Sequence, residues 1–181
     1  MKNTVVVFES KYGATEKYAA WLAQELSCAA IPKKKVRIDS LASCQTLLYG
    51  GGLYAGGVAG IDFLTRNFTA LSGKNLVLFT CGLADTNDPG NIRHIREALG
   101  KVLTPAMEEK IKIFHLRGAI DYARLQPVHK CMMAMLRRSM LRKDPAALRP
   151  EDREMLDTYG KAVDFTDKNA IAPILSYLRG L

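Results

Sequence analysis

Four short apolar runs, Thr4 to Phe8, Leu47 to Tyr49, Leu76 to Thr80 and Ile111 to Leu116, largely lack the polar alternation of a half-solvated strand. Between them apolar residues recur at helical spacing: Ala19, Leu22, Ala23 and Leu26, then Phe63, Leu64, Phe68 and Leu71, then Ile92, Ile95, Leu99 and Leu103. A strand that is apolar on both faces must be covered on both, and helices alternating with parallel strands provide that cover. The constraint predicts an α/β fold with an open parallel sheet between two helical layers. A weaker strand, Val36 to Ile38, follows the basic run Lys33 to Lys35, and Val163 to Leu178 reads as a last helix capped at Thr166 or Asp167.

The 181 residues, 48% of them hydrophobic, suffice for one substantial core, so residues 1–181 are expected to form a single domain. Cys28, Cys44, Cys81 and Cys131 show no CxxC pairing, and Met1, Lys2 and Asn3 lead straight into a strand with no secretory apolar region. A reduced, cytoplasmic setting is the expectation. The apolar stretches fall well short of the roughly 18–20 residues that span a bilayer. His94, His115 and His129 are scattered over three elements without metal-ligand spacing, so no metal is expected, and no GxSxG nucleophile elbow occurs.

In an open parallel sheet, ligands bind beyond the carboxyl ends of the strands. Three loops fall there: Ser10 to Thr15, Gly50 to Gly60 and Cys81 to Gly90. In the first, Ser10 and Thr15 carry hydroxyls, Gly13 lets the backbone turn, and the amides from Tyr12 to Glu16 open a helix whose positive end favours an anion. The same residues also serve a plain helix start, with Thr15 as N-cap and Gly13 as turn residue. GxxxxGK[ST] is missing, which argues against nucleoside triphosphate hydrolysis. Gly50-Gly51-Gly52-Leu53-Tyr54-Ala55 satisfies GxGxxA, but it follows the third strand, and Leu71 stands about 20 residues on, where a ribose-binding acid belongs.

Strand, Ser10-Lys11-Tyr12-Gly13-Ala14-Thr15, helix resembles the [ST]-x-[TYSN]-G-x-T phosphate loop of the flavodoxin family. The resemblance implies a flavodoxin-like five-stranded sheet of order 2-1-3-4-5 and FMN as cofactor. It places the phosphate on Ser10, Lys11, Tyr12, Gly13, Ala14 and Thr15. The isoalloxazine ring would lie between Gly52, Leu53, Tyr54, Ala55 and Gly56 on one side and Cys81, Gly82, Leu83, Ala84 and Asp85 on the other. Tyr54 offers a flat aromatic face for such a ring, or a cover for the end of the sheet. Cys81 is placed to touch the flavin or to act as a small buried hydrophobe. Flavodoxins are typically acidic with an aromatic residue in each ring-facing loop. This chain carries a net charge of +8, and Cys81 to Gly90 contains no aromatic residue.

The charge is concentrated. Arg117 to Lys143 holds seven cations against the single acid Asp121. The stretch Gly118 to Asp144, within an expected helical insertion over 118–166, resembles the region after strand five in menaquinone-dependent protoporphyrinogen IX dehydrogenases. That narrower resemblance implies a quinone or porphyrinogen-like substrate in heme biosynthesis, with Asp121, Tyr122 and the 125–143 helix shaping access. The wider family implies instead a non-enzymatic electron carrier that docks to acidic redox partner proteins. Leu125, Val128, Met132, Leu136 and Met140 share one helical face, with Arg137, Arg138, Arg142 and Lys143 near its end. A solvated, dipole-complementing helix explains this pattern, and so does a surface that meets anionic lipid at the inner face of a membrane. No nucleic-acid motif accompanies the charge, so none is expected as partner.

Overall fold

The computed structural model describes residues 3–54 and 56–181. The chain runs β1 (Thr4–Glu9), α1 (Ala14–Leu26), β2 (Ala29–Pro32), β3 (Thr46–Tyr54), β4 (Gly57–Val58), α2 (Asp62–Arg66), α3 (Phe68–Leu71), β5 (Asn75–Gly82), α4 (Pro89–Gly100), α5 (Pro105–Lys110) and β6 (Ile111–Arg117). It continues through β7 (Ala119–Asp121), α6 (Pro127–Met140), α7 (Pro150–Thr158), β8 (Ala162–Asp164) and α8 (Ala172–Arg179). The main sheet has the order β2-β1-β3-β5-β6, all parallel, and β4 folds back antiparallel on β3. Setting that hairpin strand aside, this is the flavodoxin-like order 2-1-3-4-5.

The period of two along each strand divides the apolar residues between two cores. Val5, Val7, Leu47, Tyr49, Leu76, Leu78, Ile111 and Ile113 face one side, where Phe63, Leu64, Leu71, Leu99 and Met107 from α2 to α5 and their loops cover them. Val6, Phe8, Leu48, Val77, Phe79, Cys81 and Leu116 face the other, under Tyr18, Ala19 and Leu22 of α1 and Ile174 and Leu178 of α8. Tyr18 binds the two layers at the strand ends. Its hydroxyl donates to the Arg117 carbonyl at 2.7 Å and accepts from the Asp167 amide at 3.1 Å.

Three local expectations change. The second strand is Ala29–Pro32, pairing with Val5 to Phe8, rather than Val36 to Ile38. Ser27 ends α1 in the left-handed region (φ 49°), so the chain turns early into an edge strand, where Pro32 is tolerated. Val36 and Ile38 still contribute apolar surface, packed partly buried against the first core from an irregular segment. The stripe Phe63 to Leu71 forms two short helices, broken at Asn67, whose side-chain amide donates to the Phe63 carbonyl at 2.8 Å. At the C-terminus Val163 lies in a strand, and Asp167 caps a 3-10 turn over Lys168–Ile171 that runs into the shorter α8.

The insertion after β6 is not purely helical. It opens on β7 and closes near β8, which pair antiparallel, with Ile120 opposite Val163. Ile120, Tyr122 and Leu125 form a small third core, joined by Tyr12, Leu83, Met133 and Tyr159. Tyr122 packs at 4.9 Å on Tyr159, so it holds the insertion together instead of opening onto a ligand.

Gly50 is in register between Phe8 and Phe79, and a Cβ there would lie 2.2 Å from the Phe79 ring. The ring fills the volume the glycine leaves. Gly50→Ala should therefore cost about 1–3 kcal/mol of stability in urea denaturation, and Phe79→Leu in the same chain should recover part of it. Unchanged stability of the single variant would refute this packing.

His115 on β6 shares a 2.7 Å hydrogen bond between its Nδ1 and the buried Thr80 hydroxyl, while its buried Nε2 has no partner among the described residues. Burial, with the positive Arg96 adding to it, pushes the imidazole down to about 4. A base depressed on folding takes up its proton first in the unfolded chain, so folding weakens as pH falls. The loss should run from about 6.5 to about 4 and reach about 3 kcal/mol. His115→Gln should flatten that window of the stability–pH curve, and an unchanged slope would count against it.

Candidate functional site

Because the inner strands are parallel, β1, β3, β5 and β6 deliver their following loops to one edge of the sheet. There Ala14 and Thr15 at the start of α1, Leu53 and Tyr54 at the end of β3, and Cys81, Gly82 and Leu83 at the end of β5 surround a cleft. Gly118 to Ile120 and residues of α6 complete it, around a cavity of about 130 Å³. Two glycines permit the convergence. A Cβ on Gly82 would meet Leu53 at 2.7 Å, and one on Gly52 would meet the Tyr54 ring at 2.6 Å.

The turn before α1 carries an unusual helix start. Gly13 is the N-cap, in the left-handed region at φ 97°, and no side chain caps the first turn. Thr15 is therefore not an N-cap. It lies one turn position further on, almost wholly buried, with its side chain hydrogen-bonded to Cys81. The first intrahelical bond is Lys17 N–H to the Gly13 carbonyl at 2.9 Å, which leaves the amides of Ala14, Thr15 and Glu16 ahead of the helix ladder. Two earlier amides are already engaged: Gly13 N–H donates to Ser10 Oγ at 3.1 Å, and Lys11 N–H donates to the Tyr54 hydroxyl at 3.2 Å. Open space surrounds the Cβ position of Gly13.

Tyr54 lies over the cleft, with Lys11 Nζ 5.3 Å from its ring centre. Burial raises its hydroxyl above the ordinary tyrosine range, so it stays protonated. Tyr12 meets Tyr54 edge-on, with ring centres 5.9 Å apart and planes at 69°. Burial pushes the Cys81 thiol up to about 12, against the opposing Thr15 hydrogen bond, so Cys81 remains a neutral wall and not a nucleophile. Leu83 is held from outside. Arg117 Nε donates to the Leu83 carbonyl at 3.1 Å, its guanidinium stacks 3.7 Å over the Phe165 ring, and it pairs with Glu154 on α7.

Among the sixteen residues singled out from the sequence, Tyr12, Ala14, Thr15, Leu53, Tyr54, Cys81, Gly82 and Leu83 line this cleft together, while Ala84 lies beside it in a neighbouring groove. Ser10 and Gly13 shape its phosphate-loop turn, Lys11 lies behind Tyr54, and Gly52 sits beneath the Tyr54 ring. Gly56 borders a neighbouring groove with Leu53, Leu83 and residues of α4, α6 and α7. Asp85 is turned into its own loop, accepting from the Asn87 amide at 2.9 Å. Ala55 lies outside the described residues. Gly50 and Gly51 are filled by Phe79 and Val58, so the GxGxxA stretch is strand interior and offers no cradle for a dinucleotide.

The residue that sequence reasoning passed over is His129. It is the third residue of α6 and reaches the cleft from 117 residues beyond Tyr12, with which it shares a very short hydrogen bond through Nδ1. No local pattern marks it, because only the tertiary fold brings α6 over the phosphate loop. Of the other histidines, His94 meets Arg149 at 3.2 Å. Among the described residues no group of three or more His, Cys, Asp or Glu is arranged to hold a metal ion, and no helix is long and apolar enough to cross a membrane.

An uncapped helix start with three amides ahead of the ladder suits a phosphate, and a flat apolar cleft with two tyrosines suits a planar heterocycle. The residues present thus fit FMN.

A flavodoxin from the domain Archaea is 16% identical over 62% of this chain and 83% of its own, at a TM-score of 0.39. Flavodoxin 2 from Bacillus cereus is 15% identical over 64% of this chain and 85% of its own, at 0.42. The apo form of an NADH:FMN oxidoreductase is 12% identical over 64% and 75%, at 0.41. No curated protein matches the chain. The family model described as "Flavodoxin domain" matches residues 5–146, from β1 through α6. The chain belongs to the flavodoxin domain family, and FMN is its cofactor.

Proposed function

We propose that this chain, folded as a single domain, is an FMN-dependent oxidoreductase. The carrying observation is the uncapped first turn of α1 opening into the same cleft that Tyr54 and Leu83 line. In this reading the turn over residues 10–15 holds the phosphate, chiefly through the amides of Ala14 and Thr15 and that of Glu16, with Ser10 and Gly13 fixing its shape. Gly52 to Gly56 and Cys81 to Asp85 seat the ring, Tyr54 and Leu83 facing it. The bound flavin supplies hydride and single-electron transfer. The protein's own groups orient it, exclude water with Leu53, Leu83 and Met133, and keep the Cys81 and Tyr54 protons in place.

Replacing Gly13 by Val at φ 97° would strain the turn and turn the amides away. FMN binding should weaken by about tenfold to a hundredfold, while riboflavin, which lacks the phosphate, should change by less than about threefold. Titrations of both flavins measure this, and equal losses would remove the phosphate grip.

The finer reading is a quinone-dependent, protoporphyrinogen dehydrogenase-like enzyme of the cytoplasm that works at the inner face of a membrane. It rests on the resemblance of Gly118 to Asp144 and on the methionine-rich walls beside the cleft, Met132 and Met133, which adapt to large apolar rings. Turnover of protoporphyrinogen with a quinone acceptor by the FMN-loaded protein tests it. Exchange confined to reductase proteins would favour an electron carrier, a reading drawn from the exposed cations of α6.

Lipid contact has a specific support. Val128, Met135, Leu136 and Leu141 are four of the six large apolar side chains exposed among the described residues, and all lie on α6 or just past it. Exposed Arg137, Arg138, Arg142 and Lys143 adjoin them. Lys143 is paired with Asp152 at 3.2 Å, so at about 1 kcal/mol per cation near an anionic leaflet the three arginines give about 3 kcal/mol, enough for reversible attachment. Arg137→Glu, Arg138→Glu and Arg142→Glu together should abolish sedimentation with anionic liposomes and leave flavin content unchanged. Unaltered sedimentation would contradict the lipid face.

A further inference from the structure

The loop after β5 has no aromatic residue to cover one face of the flavin ring, yet the cleft is not short of aromatic walls. His129 of α6 lies parallel to Tyr54, with planes 4° apart and ring centres 6.0 Å apart. Tyr12 stands edge-on to both, 5.9 Å from Tyr54 and 5.7 Å from His129, with planes at 69° and 71°. The three rings form two parallel sides and an end of one box. All three line the cleft.

We propose that His129 is the second aromatic wall of the flavin site, replacing the aromatic residue that the loop after β5 lacks. The proposal rests on the FMN reading above and adds to it a positioning residue from the insertion. Its orientation is fixed from the phosphate loop. The Gln126 amide donates to the Tyr12 hydroxyl at 3.3 Å, which leaves the hydroxyl hydrogen to be donated to His129 Nδ1. With Nδ1 accepting from that hydroxyl, the neutral imidazole would carry its proton on Nε2, for which no protein acceptor lies within hydrogen-bond distance among the described residues and which is thereby available to the polar edge of a ring.

The spacing and the packing of α6 agree with such a wall. Carbon planes in contact lie about 3.5 Å apart, so a ring held between two others needs them about 7 Å apart, and with ring centres 6.0 Å apart the planes of Tyr54 and His129 stand at least about 1 Å too close. A cavity of 130 Å³ is likewise below the roughly 300 Å³ at which small-molecule sites begin. The wall has to yield, and α6 is the element able to do so: of its 14 residues only Met140 is buried. Weakly packed elements shift at low cost, unlike the sheet ends that carry Tyr54 and Leu83.

Flavin fluorescence and affinity test this without recourse to turnover. FMN and riboflavin are titrated into the wild-type protein, His129→Ala and His129→Phe. His129→Ala should weaken both flavins alike, by about tenfold, and leave bound flavin brighter, because ring contact and its quenching are lost while the phosphate grip is untouched. His129→Phe, which keeps a flat ring, should stay within about threefold of wild type and retain the quenching. If His129→Ala binds and quenches as the wild type does, or if it weakens FMN alone, the wall assignment is overturned. Failure of the wild-type protein to take up FMN would instead overturn the reading on which it rests, and circular dichroism of each variant separates either result from misfolding.

Discussion

Covering both faces of one parallel sheet is the constraint from which the rest of this molecule follows. Parallel strands end on a common edge, and once helices occupy both faces that edge is the one place where several loops can meet a ligand. The alternation Val5/Val7 against Val6/Phe8, repeated as Leu76/Leu78 against Val77/Phe79, fixes the register of the inner strands. A slip of one residue would exchange the two cores. Register in turn fixes where the glycines fall: Gly50 beside Phe79, Gly52 under Tyr54 and Gly82 against Leu53. The cleft is thus a consequence of core packing as much as of its own residues.

Onto this frame the insertion is attached by a few directed contacts and little apolar area. Its core is small, Ile120, Tyr122 and Leu125, and its helix α6 is almost wholly exposed. Two junctions give it a defined position. Arg117 reaches from the end of β6 to Leu83, Phe165 and Glu154, so one guanidinium joins the ring-facing loop to α7 and the strand region beyond. Tyr12 joins the phosphate loop to Gln126 and His129. Both junctions end on cleft-lining residues, and Lys17 of α1 to Asp164 and Thr166, with Arg149 to His94 of α4, tie the insertion to the helices of the main domain.

What could be read from the sequence divides along the same line. Runs such as Leu76 to Thr80 are apolar on both faces with no competing signal, and they predicted a covered parallel sheet, whose strand order came from the resemblance to the flavodoxin family. Val36 to Ile38 misled because side-chain burial in an irregular segment leaves the same apolar mark as a strand, while the true edge strand Ala29–Pro32 ends in a residue that argues against one. The turn before α1 was legible because its features are local: Ser10, Gly13 and Thr15 place the hydroxyls and the positive φ within six residues, and the amides of Ala14, Thr15 and Glu16 follow at the helix start. His129 was not legible, since nothing in Gln126 to Lys130 records that Tyr12 and Tyr54 will lie beneath it. Thr15 sits between these cases, visible as a hydroxyl at a helix start but with its partner, Cys81, known only from the fold.

The two kinds of contact also differ in what they can control. A phosphate held by backbone amides at the end of a helix is gripped by groups whose positions the sheet determines, so that grip is rigid and insensitive to side-chain change. A ring faced by Tyr54 from the sheet and by His129 from α6 has one fixed wall and one that follows the insertion. In the proposed site, exposure of the flavin's edge would follow how closely α6 lies over the cleft. The outer surface of that helix carries the exposed apolar side chains Val128 and Met135 and the cations Arg137 and Arg138. A ligand on that outer surface would bear on the wall only by displacing α6 itself.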